Sequence, residues 1–183
     1  MSALDELITN RTALDAAAIR EVEAIKYTQQ TQAQRQIYNY GIGAYRHTDF
    51  NRVGAACAEL YDLITANGET VPDYVPLRTD YIRDEDISFA EMTQYLATVA
   101  ALKAAYSAST PIPANMRFIT YEDANNIERL LLEVEDILIR RAKIYPRSGV
   151  YVSGAVWYIP EDTYEDTSFN FASLNFANIN FGG

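Results

Sequence analysis

This chain is poor in the residues on which most enzyme chemistry rests. Its 183 residues include one cysteine, Cys57, and one histidine, His47. A lone cysteine excludes an intrachain disulfide and suits folding in a reducing cytosol. There is no His/Cys cluster to ligate zinc. A Ser-His-Asp or Cys-His arrangement would have to use His47, yet Cys57 lies about 15 Å further along a helix by the standard rise. No glycine-rich loop precedes a helix in the phosphate-cradling pattern. No run of 18 apolar residues is present, so no spanning helix is predicted. The opening Met-Ser-Ala-Leu-Asp-Glu-Leu lacks the basic and apolar regions of a signal peptide. Positive charge is scarce too: 15 Lys and Arg stand against 25 Asp and Glu, a formal net charge of −10. A nucleic-acid backbone or an anionic membrane would be repelled.

What is present is apolar and helical. With 49% apolar residues, a chain of this length can close one core. The clearest helix is written over residues 120–143. Thr120 and Asp123 are spaced for a reciprocal capping box. Ile127, Leu130, Leu131, Val134, Ile137 and Leu138 then recur at three- and four-residue steps and form one apolar stripe. Glu122 and Asp123 suit the positive end of the helix dipole, and Arg140, Arg141 and Lys143 the negative end. Glu122, Glu128, Glu133 and Glu135 are expected on its solvent face, which excludes a paired-carboxylate glycosidase site.

Three further segments begin alike. Thr12-Ala-Leu-Asp15 leads into Ala17, Ala18, Val22 and Ile25. Thr48-Asp-Phe-Asn51 leads into Val53, Cys57, Leu60 and Ile64, and Asn67-Gly68 ends that helix. Ser88-Phe-Ala-Glu91 leads into Met92, Leu96, Val99 and Leu102. The second of these carries Asn51 where a Glu, Gln or Asp would be expected. A short helix before Gly41-Ile-Gly43 is predicted around Ile37, Tyr38 and Tyr40. Residues 68–86 and 107–117 contain prolines and read as connections.

After Pro146 the period changes from 3.6 to 2. Val150, Val152, Val156 and Tyr158 alternate around Ser153-Gly154, the pattern of a β-hairpin. The acidic run 161–167 follows. It lacks the spacing and the turn glycine of a calcium loop and reads as a solvated link. The last fifteen residues then fall into three fives, Phe169-Asn-Phe-Ala-Ser, Leu174-Asn-Phe-Ala-Asn and Ile179-Asn-Phe-Gly-Gly. These resemble pentapeptide repeats, a family that stacks four such units in each square β-helical turn. Three units cannot bury their own large side chains, so a partner surface is expected. The interaction residues are therefore Phe169, Asn170, Phe171, Leu174, Asn175, Phe176, Ile179, Asn180 and Phe181. The organisation expected is a helical domain over 1–145, a β-hairpin over 146–160, and an acidic linker with a pentapeptide-like tail over 161–183. The fold class is mainly α: four or five amphipathic helices in a bundle-like domain, with a short β-hairpin and a β-rich extension.

Fourteen tyrosines and seven phenylalanines form the other positive signal. Tyrosine suits interfaces and sugar stacking because one end of a flat ring is polar. Tyr38, Tyr40, Tyr45 and Tyr74 lie in or near loops, which leaves a host-surface glycan-binding module as an alternative function.

Several runs together carry a wider resemblance. They are Asn10-Arg-Thr-Ala-Leu-Asp15, Thr48-Asp-Phe-Asn-Arg-Val-Gly54, Asp86-Ile87, Met116, Phe118-Ile-Thr-Tyr-Glu-Asp-Ala-Asn-Asn-Ile-Glu128, Ser148-Gly149 and Ser153-Gly154. In this order they are similar to a family of structural proteins encoded in the tail regions of phages and prophages of Gram-positive bacteria. That family commonly has Trp where this chain has Tyr81, and an aromatic pair where it has Tyr145-Pro146. The resemblance implies a virion component of the tail tip, baseplate or a fibre attachment. It would fold in the host cytoplasm and join other tail proteins, forming a trimer or hexamer in the particle. No nucleic acid and no membrane insertion are expected, and host glycan is the one further partner. The resemblance brings no catalytic, cofactor-binding or metal-binding residue, and the chain is not expected to be an enzyme.

Overall fold

Local chemistry sets where each helix begins. In the computed structural model, which describes residues 2–83 and 85–144, five helices follow one another: α1 (Ala13–Glu23), α2 (Gln32–Tyr40), α3 (His47–Ala66), α4 (Phe89–Tyr106) and α5 (Tyr121–Ile144). Thr12, Thr31, Ser88 and Thr120 each accept the N–H of the residue three positions on. Asp15, Gln34, Glu91 and Asp123 accept the cap residue's N–H in return. The box at Thr31 and Gln34 adds one to the three complete boxes expected from sequence. α3 departs from the expected cap. It starts at His47, and Asp49, not Asn51, accepts the N–H of Arg46 at 2.7 Å. α3 ends at Asn67, and Gly68 takes a φ of +79° that a side chain would strain. There the Glu69 N–H returns to the Ile64 carbonyl at 3.1 Å.

α3, α4 and α5 pack on one another and enclose the core. Val53, Cys57, Leu60, Ile64, Val99, Leu102, Ile127, Leu130, Leu131 and Val134 are fully buried. The α3 stripe is the one read from sequence, and so is that of α5, where Leu138 is buried and Ile137 partly so. The α4 stripe is rotated: Tyr95, Thr98, Val99, Leu102 and Tyr106 face inward, while Met92 and Leu96 lie at the edge. Tyr95 belongs to an aromatic cluster in which its ring lies 4.9 Å from Phe50, and Phe50 lies 5.2 Å from Tyr45 and 5.8 Å from Tyr81. Tyr81 is buried with Phe50 and Tyr95.

α1 and α2 form a separate hairpin. Ala16, Ile19 and Val22 are its buried face, and the expected Ala17 points out. The loop after α2 runs so close to the first turn of α1 that a Cβ on Gly43 would lie 2.0 Å from the Asp15 carbonyl oxygen. Buried Gln30 donates its amide to the carbonyls of Val22 and Ile25, both at 2.9 Å, and so satisfies the end of α1.

The two long connections are ordered by side chains rather than by strand pairing. Asn51 donates to the Tyr81 carbonyl at 2.9 Å and accepts the Tyr81 N–H at 2.8 Å. Thr98 donates to the Val75 carbonyl at 2.8 Å. Glu133 accepts four hydrogen bonds, from the N–H and hydroxyl groups of Ser109 and Thr110, at 2.6–2.9 Å.

The expected fold class needs correction. The helical part stands at five helices, but the β elements do not: among the described residues there is no strand. The physical reason is visible in those residues. The capping boxes commit the long apolar segments to helices, and the connections give backbone groups at Val75, Tyr81, Ser109 and Thr110 to Thr98, Asn51 and Glu133 instead of to a ladder. The hairpin assigned to 146–160 and the β-rich extension at 161–183 lie outside the described residues.

Candidate functional site

The densest polar arrangement lies where the N-terminal segment crosses α3 and α5. Arg11 and Glu128 are almost completely buried there, and Asp49 nearly so. Arg11 donates through Nη2 to Asp49 Oδ1 at 2.7 Å and to Glu128 Oε1 at 2.6 Å. Its Nε reaches the Ile42 carbonyl at 3.1 Å and its Nη1 the Ile8 carbonyl at 2.5 Å. Arg52, one turn along α3 from Asp49, donates to Glu128 Oε1 at 2.7 Å and Oε2 at 3.2 Å, and also to Asp49 Oδ1. The Ile8 N–H donates to Glu128 Oε2. Beside this cluster Asn125 clasps the backbone of Arg11, accepting its N–H at 3.1 Å and donating to its carbonyl at 2.8 Å.

Two guanidinium groups thus face two carboxylates, and the charges balance. Burial works against the charge on Arg52, but Glu128 and Asp49 outweigh it and hold the guanidinium above its ordinary pKa. Such a cluster adds little net stability over an apolar one of the same shape, yet breaking it leaves a buried charge unpaired. Its chemistry is that of a lock. All four carboxylate oxygens already accept hydrogen bonds, so neither acid here is placed to take a proton from a substrate. The adjoining Tyr45 and Tyr95 hydroxyls bond to each other, and burial raises both phenols well above their usual range.

Sequence reasoning missed this site. It assigned Glu128 to the solvent face of α5, and the structure overturns that. Glu128 follows Ala124 by four residues and precedes Leu131 by three, which sets it on the buried side. That spacing was the available signal; the partners, Arg11, Asp49 and Arg52, lie too far away in sequence to be read. Glu133 is likewise engaged rather than free, and its hydrogen bonds from Thr110 and Ser109 lower its pKa to about 2. Glu122 is exposed, as expected, and Glu135 is partly buried.

The two residues weighed for catalysis are not together. Cys57 is fully buried in α3, and burial pushes its thiol up to about 12. His47 starts α3 and lines a cleft of about 390 Å³ with Glu23, Tyr38, Tyr40, Arg46 and Arg83. Of the four tyrosines weighed for sugar stacking, Tyr38 and Tyr40 both line that cleft, Tyr45 joins the core cluster, and Tyr74 stacks on Tyr61 at 4.1 Å. Among the described residues no group of three His, Cys, Asp or Glu is placed to hold a metal ion, and no helix is long and apolar enough to cross a membrane. The interaction residues expected between Phe169 and Phe181 lie outside the described residues. Comparison with protein families, with curated proteins and with solved structures gives no match to this chain.

Proposed function

We propose that this chain is an architectural protein of a bacteriophage tail, which joins or decorates other tail proteins as part of a baseplate, tail tip or fibre adaptor. One observation carries the reading. Three of the runs behind the resemblance supply the residues of a single buried lock: Arg11 from the first, Asp49 and Arg52 from the second, Asn125 and Glu128 from the third. Asn51, in the second run, ties down the connection at Tyr81. The signature therefore maintains a frame, whereas an enzyme's signature contains its reacting groups. The means of joining is the C-terminal segment. Its Phe169, Phe171, Leu174, Phe176, Ile179 and Phe181 lie within thirteen residues, and exposing such a set to water favours association.

The test is to raise antibody against the full chain and apply it to purified particles. Gold label at the tail, with a copy number that is a multiple of three, is expected from tail symmetry. Expression in infected cells with none of the protein in the particle would sink the reading.

A second reading, host-surface glycan binding, is favoured by the presence of both Tyr38 and Tyr40 in the lining of the His47 cleft, where Tyr40 is 75% exposed. It predicts sugar-dependent shifts in the NMR spectrum of the full chain that vanish in Tyr40→Ala.

A further inference from the structure

A shallow groove runs between the first half of α4 and the connection that leads into α5. Its volume is about 190 Å³, and Phe89, Met92, Leu96, Asn115, Met116 and Arg117 are among its walls. Phe89 is 73% exposed at one rim, and Phe118, next to Arg117, is 80% exposed. Met92 and Met116 are two of the three methionines in the chain. Thioether side chains adapt their shape and make favourable contacts with aromatic edges. The one charge in the wall is Arg117. Its guanidinium lies over the Phe118 ring, 5.5 Å from the centroid, and it makes no ion pair among the described residues. Asn115, an exposed residue of the same groove, accepts the Arg117 N–H through its side-chain oxygen at 3.0 Å, which leaves its amide N–H groups to donate.

One segment of this chain has the complementary chemistry. Residues 161–183 contain four carboxylates, Glu161, Asp162, Glu165 and Asp166, and no basic residue. The repeating Phe-Asn units follow at once. Aromatic rings suit the methionine walls, the Asn amides suit Asn115, and the acidic lead suits Arg117. We propose that the groove between α4 and residues 114–117 receives the Phe-Asn segment of a second copy of this chain. The 24 residues from 145 to 168 extend to roughly 80 Å, enough to pass from one copy to the next. A tail in one copy and a groove in the next make a head-to-tail contact, which closes into a ring when the rotation allows. The inference rests on the assembly role of the C-terminal segment and names the surface it meets.

Disulfide trapping on the purified full chain tests this without any particle. One copy carries Thr93→Cys in the groove wall. A second, differently tagged copy carries a cysteine in the tail, placed in turn as Asn170→Cys, Asn175→Cys or Asn180→Cys, so that the register need not be known. The buried native Cys57 does not compete. Under mild oxidation a disulfide joining the two tags is expected for at least one tail position. Adding Met92→Asp to the groove copy should reduce it to the level seen with Leu14→Cys, an exposed control on α1. No crosslink above that control at any of the three positions overturns the proposal. So does a crosslink that forms only when both cysteines are in one chain and leaves the protein monomeric. If the protein is absent from particles yet the crosslink forms, the tail reading alone fails. If tail deletion abolishes incorporation yet no crosslink forms, the groove assignment alone fails.

Discussion

Arg11 and Glu128 are 117 residues apart in the chain, and their charged groups meet at 2.6 Å in the interior. Glu128 is shared with Arg52, so its removal leaves two guanidinium groups on the single carboxylate of Asp49, one charge unbalanced. Glu128→Ala should therefore destabilise the protein by about 3–5 kcal/mol. Arg129→Ala, at the exposed neighbouring position, should change stability by no more than about 0.5 kcal/mol. Urea titration of both variants checks the pair. Equal small effects would mean that the cluster does not carry buried charge.

The apolar side of the same helix makes a separate prediction. Leu131 and Val134 are fully buried, and Ile139 is 46% exposed. Leu131→Ala should cost about 2–5 kcal/mol through lost burial and a residual cavity, with Val134→Ala smaller. Ile139→Ala should cost clearly less than Leu131→Ala, and the same titration ranks the three. A reversed order would show that the buried face of α5 is wrongly assigned.

Glu133 ties the connection before α5 to the helix itself, so Glu133→Ala should cost about 1–2 kcal/mol, since charged hydrogen bonds exceed neutral ones. The effect should depend on pH in a fixed direction. The folded carboxyl titrates near 2, below its usual value of 4.5, so the stabilisation is complete above the unfolded value. It is lost as pH falls from about 4.5 toward 2. Thermal melts of wild type and variant at pH 7 should differ, and the gap should narrow as the pH approaches 2. A gap that is constant with pH would remove the role of the charge.

Cys57 provides a probe of opening. A thiol held near 12 and closed off in the core is unreactive both as a nucleophile and by access. An aromatic disulfide reagent at pH 8 should label it only as fast as the domain unfolds, with full reaction in denaturant. Immediate labelling of the native protein would contradict its position in α3.

Much of this fold was written locally. The boxes at Thr12, Ser88 and Thr120 and the stripes of α3 and α5 depend on residues three and four apart, and sequence shows such spacing directly. What could not be read depends on distance. Thr48 has the form of a cap because a hydroxyl residue there opens an apolar stripe, but Asn51, already an unusual fourth residue for the box, serves Tyr81, 30 residues on. Asp49, the third residue of α3, accepts the N–H of the cap residue Arg46 while it also meets Arg11. Glu128 reads as solvated when its charge is weighed above its spacing from Ala124 and Leu131, because the arginines that balance that charge are far away in sequence. On α4 the three- and four-residue steps pick out Met92 and Leu96, whereas it is Tyr95 that packs inward against the ring of Phe50.

The lock also has an order in time. Arg11, Asp49 and Arg52 leave the ribosome long before Glu128; at typical elongation rates the interval between Arg11 and Glu128 is on the order of ten seconds. Through that interval the N-terminal half holds two arginines and an aspartate whose final partner has not been made, and water keeps them. The complete set of partners exists only once the first two turns of α5 have been made, so a chain that stops before Glu128 leaves Arg11 and Arg52 one carboxylate short.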